Sequence, residues 1–217
     1  MRLCYDAVMA ANRFITFEGG EGSGKSTQAR LLADKLRGRG HEVVLTREPG
    51  GSPLAEQIRE LLLHSKPASA VAEFLLFAAA RAEHIEVTIK PALERGAFVI
   101  CDRFIDSTRV YQGHLGHVDL ALIEAIETAT VAPFIPALTF VLDVPAETGL
   151  ARASARGELN HYDRKELSWH TSLRKAFQNA AHAEPARCVL IDGSRDAVTI
   201  AAGIWHIASA RLNLGTH

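Results

Sequence analysis

Cysteine is scarce in this chain, and its placement excludes the chemistry cysteine usually brings. Cys4, Cys101 and Cys188 are the only three, and their spacings suit neither a zinc site nor a redox pair. An odd, sparse set fits a reducing cytoplasm. Cys101 and Cys188 lie in apolar, strand-like runs and read as core filler rather than nucleophiles. Long apolar runs are missing too. The longest, Phe74 to Ala80, falls far short of the roughly 20 residues that span a bilayer, so no membrane partner is expected. Charge of one sign does not dominate: net charge is −1, which argues against a general nucleic-acid binder. It leaves room for a small anionic ligand held by local Arg and Lys. The 10 histidines form no HExxH or comparable metal pattern, and His114 and His117 are a weak pair in a loop. No Ser–His–Asp arrangement can be read from chain order. No N-K-x-D guanine-reading motif, repeat or low-complexity tract is present. Residues 1–12 lack a clean signal-peptide pattern, since Asp6 interrupts the apolar stretch. They read as a flexible extension to a single domain spanning 13–217.

What is present is concentrated near the start. Gly19-Gly20-Glu21-Gly22-Ser23-Gly24-Lys25-Ser26-Thr27 spells G-x-x-x-x-G-K-S. The apolar run Phe14–Phe17 precedes it and the helix-prone stretch 28–36 follows, which is the strand–loop–helix context the motif requires. The glycines let backbone N–H groups wrap a phosphate, and the helix start adds partial positive charge. Lys25 can reach β- and γ-phosphates, and the Ser26 hydroxyl can sit on Mg²⁺. A glycine-rich strand-to-helix turn without a ligand is the bland alternative.

Strands are predicted over 13–18, 42–46, 97–101, 138–143 and 187–191. Helices are predicted from the P-loop to about Arg37, over 54–64, 68–93 (one long helix or two abutting ones), 119–130, 146–156, 165–183 and 196–212. A loop containing Gly113 and Gly116 is expected between the third strand and the helix from Asp119. Ser52 can cap a helix with Pro53 at its first position. Short, continuously apolar strands alternating with helices indicate an α/β fold with a parallel sheet covered on both faces.

Asp102 ends a buried strand, where it serves either as a Mg²⁺ ligand or simply as a polar strand end. Arg103 follows at the sheet edge where ligands bind in this architecture, and an Arg there can fork onto a phosphate. Arg47 ends the second strand. Arg81 lies one helical turn after Phe77, and Arg152 and Arg156 are one turn apart. Singly, each Arg is more often solvated. Jointly, beside a P-loop, they suggest a second phosphorylated ligand in addition to ATP. On periodicity alone Phe77 is favoured as core over a base-stacking role.

F-E-G-G-E-G-S-G-K-S-T, T-R-E-P-G-G, L-L-F-A-A-A-R, D-R-F with the S-T and Y-Q-G that follow, L-D-V-P and A-R-G-E-L together resemble the bacterial thymidylate kinases. These belong to the P-loop nucleoside-monophosphate kinase group. The resemblance runs from Arg13 to the last helix. It implies a five-stranded parallel sheet of order 2-3-1-4-5, a cytoplasmic homodimer, and phosphorylation of dTMP with ATP and Mg²⁺. It implies that Lys25 and the P-loop amides hold ATP phosphates, with Ser26 and Asp102 at the metal, and that Glu21 lies near the acceptor's 3′-hydroxyl. Arg47 and Arg103 would grip the acceptor phosphate, Phe77 would stack on the base, and Arg81 and Thr108 would meet its edge. Tyr111 and Gln112 would line the sugar–base pocket. The Glu48–Pro49 peptide would be cis, and residues 192–194 would lie near the adenine. Relatives with Arg at position 22 supply transition-state charge from the P-loop. This chain has Gly22 and resembles the subtype that supplies it from a lid at about 152–165, making Arg152 and Arg156 the catalytic candidates. The lid departs from that subtype's pattern at Ser154 and at Asn160-His161, with Arg164 nearby. A sibling kinase for another nucleotide, or a non-catalytic nucleotide-binding protein, are the alternative readings.

Overall fold

The computed structural model describes residues 13–65, 69–155, 157, 162 and 164–214. The expected N-terminal extension and Arg156 lie outside the described residues. Five strands, β1 (Phe14–Glu18), β2 (Val43–Arg47), β3 (Phe98–Asp102), β4 (Leu138–Asp143) and β5 (Cys188–Asp192), form one sheet. Its order is β2-β3-β1-β4-β5, with every pair parallel, as expected. Parallel neighbours need crossover connections, and the helices between the strands supply them.

Helices α1 (Lys25–Arg37) and α9 (Ala197–Arg211) cover one face. There Ile15, Phe17, Leu32, Leu36, Phe140 and Ile204 form one core. Alternate residues of the same strands point the other way. Phe14, Val99 and Cys101 pack with Ile85, Ile89 and Phe104, and Phe14 meets Phe104 edge-on at 4.9 Å. Strand residues buried on both sides of the sheet explain why the runs read as continuously apolar. Among the described residues no helix is long and apolar enough to cross a membrane.

Helix α2 (Pro53–His64) starts as its sequence suggests, with Ser52 Oγ accepting from the Ala55 N–H and Pro53 in the first turn. Helix α3 (Ala70–His84) runs through a π turn, Ile85–Ile89, into α4 (Lys90–Glu94). Of the two expected forms, one long helix or two abutting ones, the structure shows one continuous path with a widened turn, across which the Lys90 N–H reaches Ile85 O. Pro91 lies just beyond, where an ordinary turn would clash with its ring.

One expectation fails. Instead of a loop, residues 105–115 form α5 (Ile105–Thr108) and a π-helical segment, Arg109–Leu115. Gly113 was read as a loop former, but a β-carbon there would lie 2.9 Å from Leu120 Cδ2 and 3.1 Å from Ile123 Cδ1. The glycine makes room for helix α6 (Leu120–Thr130) rather than for a turn. Helices α7 (Ala146–Ala155) and α8 (Leu167–Ala183) complete the chain.

Candidate active site

The carboxyl ends of β1, β2 and β3 open onto a cavity of about 290 Å³. Parallel sheets place their ligands at this edge. The P-loop forms one wall. Residues 47–49, α2 and α3 form the other, and residues 102–112 form the floor. Lys25, Ser26, Arg47, Phe77, Arg81, Asp102, Arg103, Thr108, Tyr111 and Gln112 all line it, as does Glu21. Most of the described residues singled out from sequence thus converge on one space; Gly19, Gly20, Arg152 and residues 192–194 do not line it.

Lys25 is buried and donates to Gly20 O at 2.7 Å and to Ser23 Oγ at 3.3 Å. Burial, with Arg103 next, pushes its ammonium down to about 8. The Ser26 hydroxyl donates to Asp102 Oδ2. Two hard oxygens, one at the P-loop and one at a strand end, suit the donor set a Mg²⁺ ion takes when phosphates complete it. Among the described residues no cluster of three or more His, Cys, Asp or Glu could hold an ion alone.

Arg103 is the centre of the floor. Its backbone is left-handed, with φ 69°, a conformation that costs a non-glycine residue roughly 1–3 kcal/mol and persists only where the surroundings impose it. Its guanidinium donates to Gly19 O at 3.1 Å, Ser107 Oγ at 3.2 Å and Glu21 Oε1 at 3.0 Å. It also lies over the Tyr111 ring, 5.1 Å from the centroid. The Tyr111 hydroxyl donates to Glu21 Oε2 at 2.7 Å. Burial pushes the Glu21 carboxyl up, but Arg103 and Lys25 outweigh it and hold the group below the ordinary carboxylate range. A fork of positive charge is thereby fixed directly beneath the P-loop.

The opposite wall is held by a second buried network. Glu48 follows β2, and its peptide to Pro49 is cis. Arg81 Nε donates to Glu48 Oε2 at 2.7 Å. Arg81 Nη2 donates to Phe104 O at 3.1 Å and Thr108 Oγ1 at 2.8 Å. His84 Nδ1 sits 3.0 Å from Glu48 Oε1, and its Nε2 sits 2.8 Å from Thr46 Oγ1. Phe77 is only half-buried and faces the cavity. This corrects the expectation from periodicity: Phe74 and Ala78 take the core positions of α3. Gln112 Nε2 donates to Glu73 Oε1 at 3.0 Å, and the Tyr162 hydroxyl donates to the same oxygen.

Arg47 is exposed at the cavity rim and paired with Glu56 at 3.0 Å. Arg152 is placed elsewhere, with Nη1 2.9 Å from Gly193 O, on the turn between β5 and α9. Sequence reasoning missed Arg59 and Tyr162, which both line the cavity. Arg59 donates to Pro49 O at 2.7 Å. On sequence it looks like a solvated helical Arg. The available signal was its spacing to Leu62 and Leu63, three and four residues on and therefore on the same face. Those two side chains also line the cavity.

A protein-family model described as thymidylate kinase matches residues 17–203. The chain is similar to the thymidylate kinase of Afipia carboxidovorans, 52% identical over 205 residues that cover 92% of this chain and 90% of the relative. It is similar also to that of Caulobacter vibrioides, 50% identical over 208 residues, covering 95% of this chain and all of the relative. Among solved structures, the crystal structure of thymidylate kinase from Ehrlichia chaffeensis superposes with a TM-score of 0.73 at 35% identity, covering 89% of this chain and 97% of that one.

Proposed function

The chain belongs to the thymidylate kinase family, and from that premise we propose that it transfers the γ-phosphoryl group of ATP directly onto the phosphate of dTMP. The observation that carries this reading is a single cavity lined by the P-loop on one side and by Phe77, Arg81 and Thr108 on the other, with Arg103 between them. Such a lining suits the phosphates of a nucleoside triphosphate at the P-loop and a second, aromatic, anionic ligand against the opposite wall.

In this reading the P-loop amides from Gly19 to Thr27 and Lys25 hold the ATP phosphates. Arg103 and Arg47 grip the acceptor phosphate, and Glu21 and Tyr111 face its sugar. Phe77 stacks on the base while Arg81, Thr108 and Gln112 meet its polar edge. The acceptor oxygen is already ionised near neutral pH, so no side chain need remove a proton. The work of the protein is alignment and charge stabilisation. Ser26 and Asp102 would hold Mg²⁺, which when bound neutralises charge on the phosphates. Arg152 and Arg156 are the lid arginines of the proposal. Arg152 starts from the Gly193–Ser194 turn that this reading places beside the adenine. The enzyme would work as a cytoplasmic homodimer. Leu54 and Leu61 on α2 and Val71 and Leu75 on α3 are left exposed, apolar surface of the kind that subunits cover.

Phe77→Ala and Thr108→Val test the acceptor assignment. Stacking on a base is worth about 1–3 kcal/mol, so Phe77→Ala should raise KM for dTMP roughly 5- to 150-fold and leave KM for ATP unchanged. Steady-state kinetics with each substrate varied in turn would measure this. Unchanged dTMP kinetics in both variants would point to a different acceptor.

Gly22 bears on how α7 meets the P-loop. Its φ is +64°, and a β-carbon there would lie 2.0 Å from Gly149 O on α7. Position 22 thus has no space for the Arg that some relatives carry unless α7 moves. Gly22→Ala should weaken ATP binding by roughly 5- to 150-fold, the equivalent of about 1–3 kcal/mol of imposed strain. Calorimetric titration with ATP reads this directly, and wild-type affinity would mean that α7 gives way freely.

A further inference from the structure

We infer that Glu18 and Ser107 are positioning residues that hold the Arg103 guanidinium at the point of transfer, through the polarity of one hydroxyl and a clamp on the backbone beside it. Glu18 is the last residue of β1 and is fully buried. Among the described residues, the hydrogen bonds its carboxylate accepts come from the turn that follows Arg103. Oε1 accepts from the Phe104 N–H at 2.7 Å and the Ser107 N–H at 3.3 Å. Oε2 accepts from the Ser107 hydroxyl at 2.6 Å.

A hydroxyl has one proton to give. With that proton committed to Glu18, the Ser107 oxygen presents only lone pairs to its other neighbours. Arg103 Nη1, which can only donate, meets it at 3.2 Å. A hydrogen-bonded chain therefore runs from Glu18, whose carboxyl burial and then Asp106 push up to about 7, through Ser107 to the guanidinium, and each link polarises the next in the ionised form. The bond from Phe104 N–H acts on the same residue from the other side. It fixes the peptide that leaves Arg103, whose left-handed φ needs an imposed partner. Neither Glu18 nor Ser107 need touch the reacting groups for this to matter.

The inference rests on Arg103 acting at the transfer, as proposed above. Glu18→Gln keeps the shape but turns one oxygen into an N–H₂ donor. With the remaining oxygen held by the two backbone donors, the Ser107 proton must leave the line to position 18, and the chain loses its acceptor end. Ser107→Ala removes the relay and leaves Glu18 its two backbone donors. Either variant should lower kcat roughly 10- to 100-fold, the size of a hydrogen bond to a charged group, with KM for ATP within about twofold of wild type. The double variant should fall no further than the worse single one, since both act on one chain. Ser107→Thr, which restores the hydroxyl, should recover most of the rate.

Crystal structures of the variants supply a readout that does not depend on the acceptor. The Arg103 side chain should leave its contacts with Gly19 O and Glu21. If wild-type protein turns over a nucleotide other than dTMP, the same rate ratios are read with that nucleotide, and only the acceptor assignment fails. Wild-type kcat in Ser107→Ala with Arg103 undisplaced would overturn the positioning role. So would losses in the two single variants that multiply in the double. Should Glu18→Gln fail to fold, Ser107→Ala and its Thr counterpart decide the matter alone.

Discussion

Arg103→Ala is expected to lose turnover by on the order of 10³-fold or more, the range for arginines that stabilise phosphoryl-transfer charge, while still folding. The guanidinium bridges Gly19 O, Ser107 Oγ and Glu21 Oε1 beneath the P-loop. It is the one strongly placed cation between the Lys25 wall and the acceptor wall among the described residues lining the cavity. Its removal also leaves the Glu21 carboxylate facing the cavity without its closest positive partner, which would repel an acceptor phosphate. Some stability should be lost with the Glu21 pair, but Lys25 stays near that carboxylate and the site opens onto the cavity, so the variant should still fold. Alanine inherits the same left-handed backbone, and Arg103 is a site residue rather than a core one. Arg103→Lys should recover only part of the rate, because an ammonium keeps the charge but not the planar fork that reaches three acceptors at once. Rapid-quench measurement of a single turnover, with thermal melting as the control, tests this. A chemical step within about tenfold of wild type would remove Arg103 from the mechanism.

Asp106→Asn is expected to be the most destabilising single conservative change near the site. Asp106 and Arg187 form a buried two-pronged pair, with Nη1 to Oδ2 at 2.9 Å and Nη2 to Oδ1 at 2.6 Å. Arg187 also donates to Thr139 Oγ1 at 2.9 Å and to Glu184 at 2.6 Å. Thr139 in turn meets Thr16 at 2.7 Å. This polar thread ties α5, which carries Ser107 into the site, to β4, β1 and the start of β5. Removing one partner of a buried pair leaves an uncompensated charge and costs about 3–5 kcal/mol. Glu184 keeps part of the Arg187 charge matched, which favours the lower end. At about 2–4 °C per kcal/mol for a chain of this size, the melting temperature should fall by roughly 6–20 °C. Replacing both partners by apolar residues of similar volume should recover much of it. Differential scanning calorimetry without nucleotide measures the change, and a shift below about 2 °C would mean that Glu184 alone satisfies Arg187.

The sheet was legible because burial on both faces left it unambiguous. Phe14–Glu18 and Leu138–Asp143 are buried almost throughout, and short apolar runs of that length bounded by turn residues suit strands covered by helices. The site was legible wherever a motif fixed the backbone, as in the P-loop and at Asp102-Arg103. It was less so where geometry came from packing. Gly113 was misread because a glycine that admits a neighbouring helix looks the same in sequence as one that makes a turn. For Phe77, periodicity alone points to core while the motif resemblance points to the base pocket, because periodicity gives a helix face without saying whether that face meets core or cavity. Arg59, Tyr162 and the Glu48–His84 pairing depend on contacts between segments far apart in the chain, which local patterns do not encode.

The most direct test is ADP release measured by a coupled assay with ATP and Mg²⁺, comparing dTMP, dUMP, dCMP and no added acceptor. Release that strongly favours dTMP and is negligible without an acceptor is the expected result. Equal release with every acceptor and with none would contradict it, marking an uncoupled ATPase and removing the roles given to Phe77, Arg81 and Thr108.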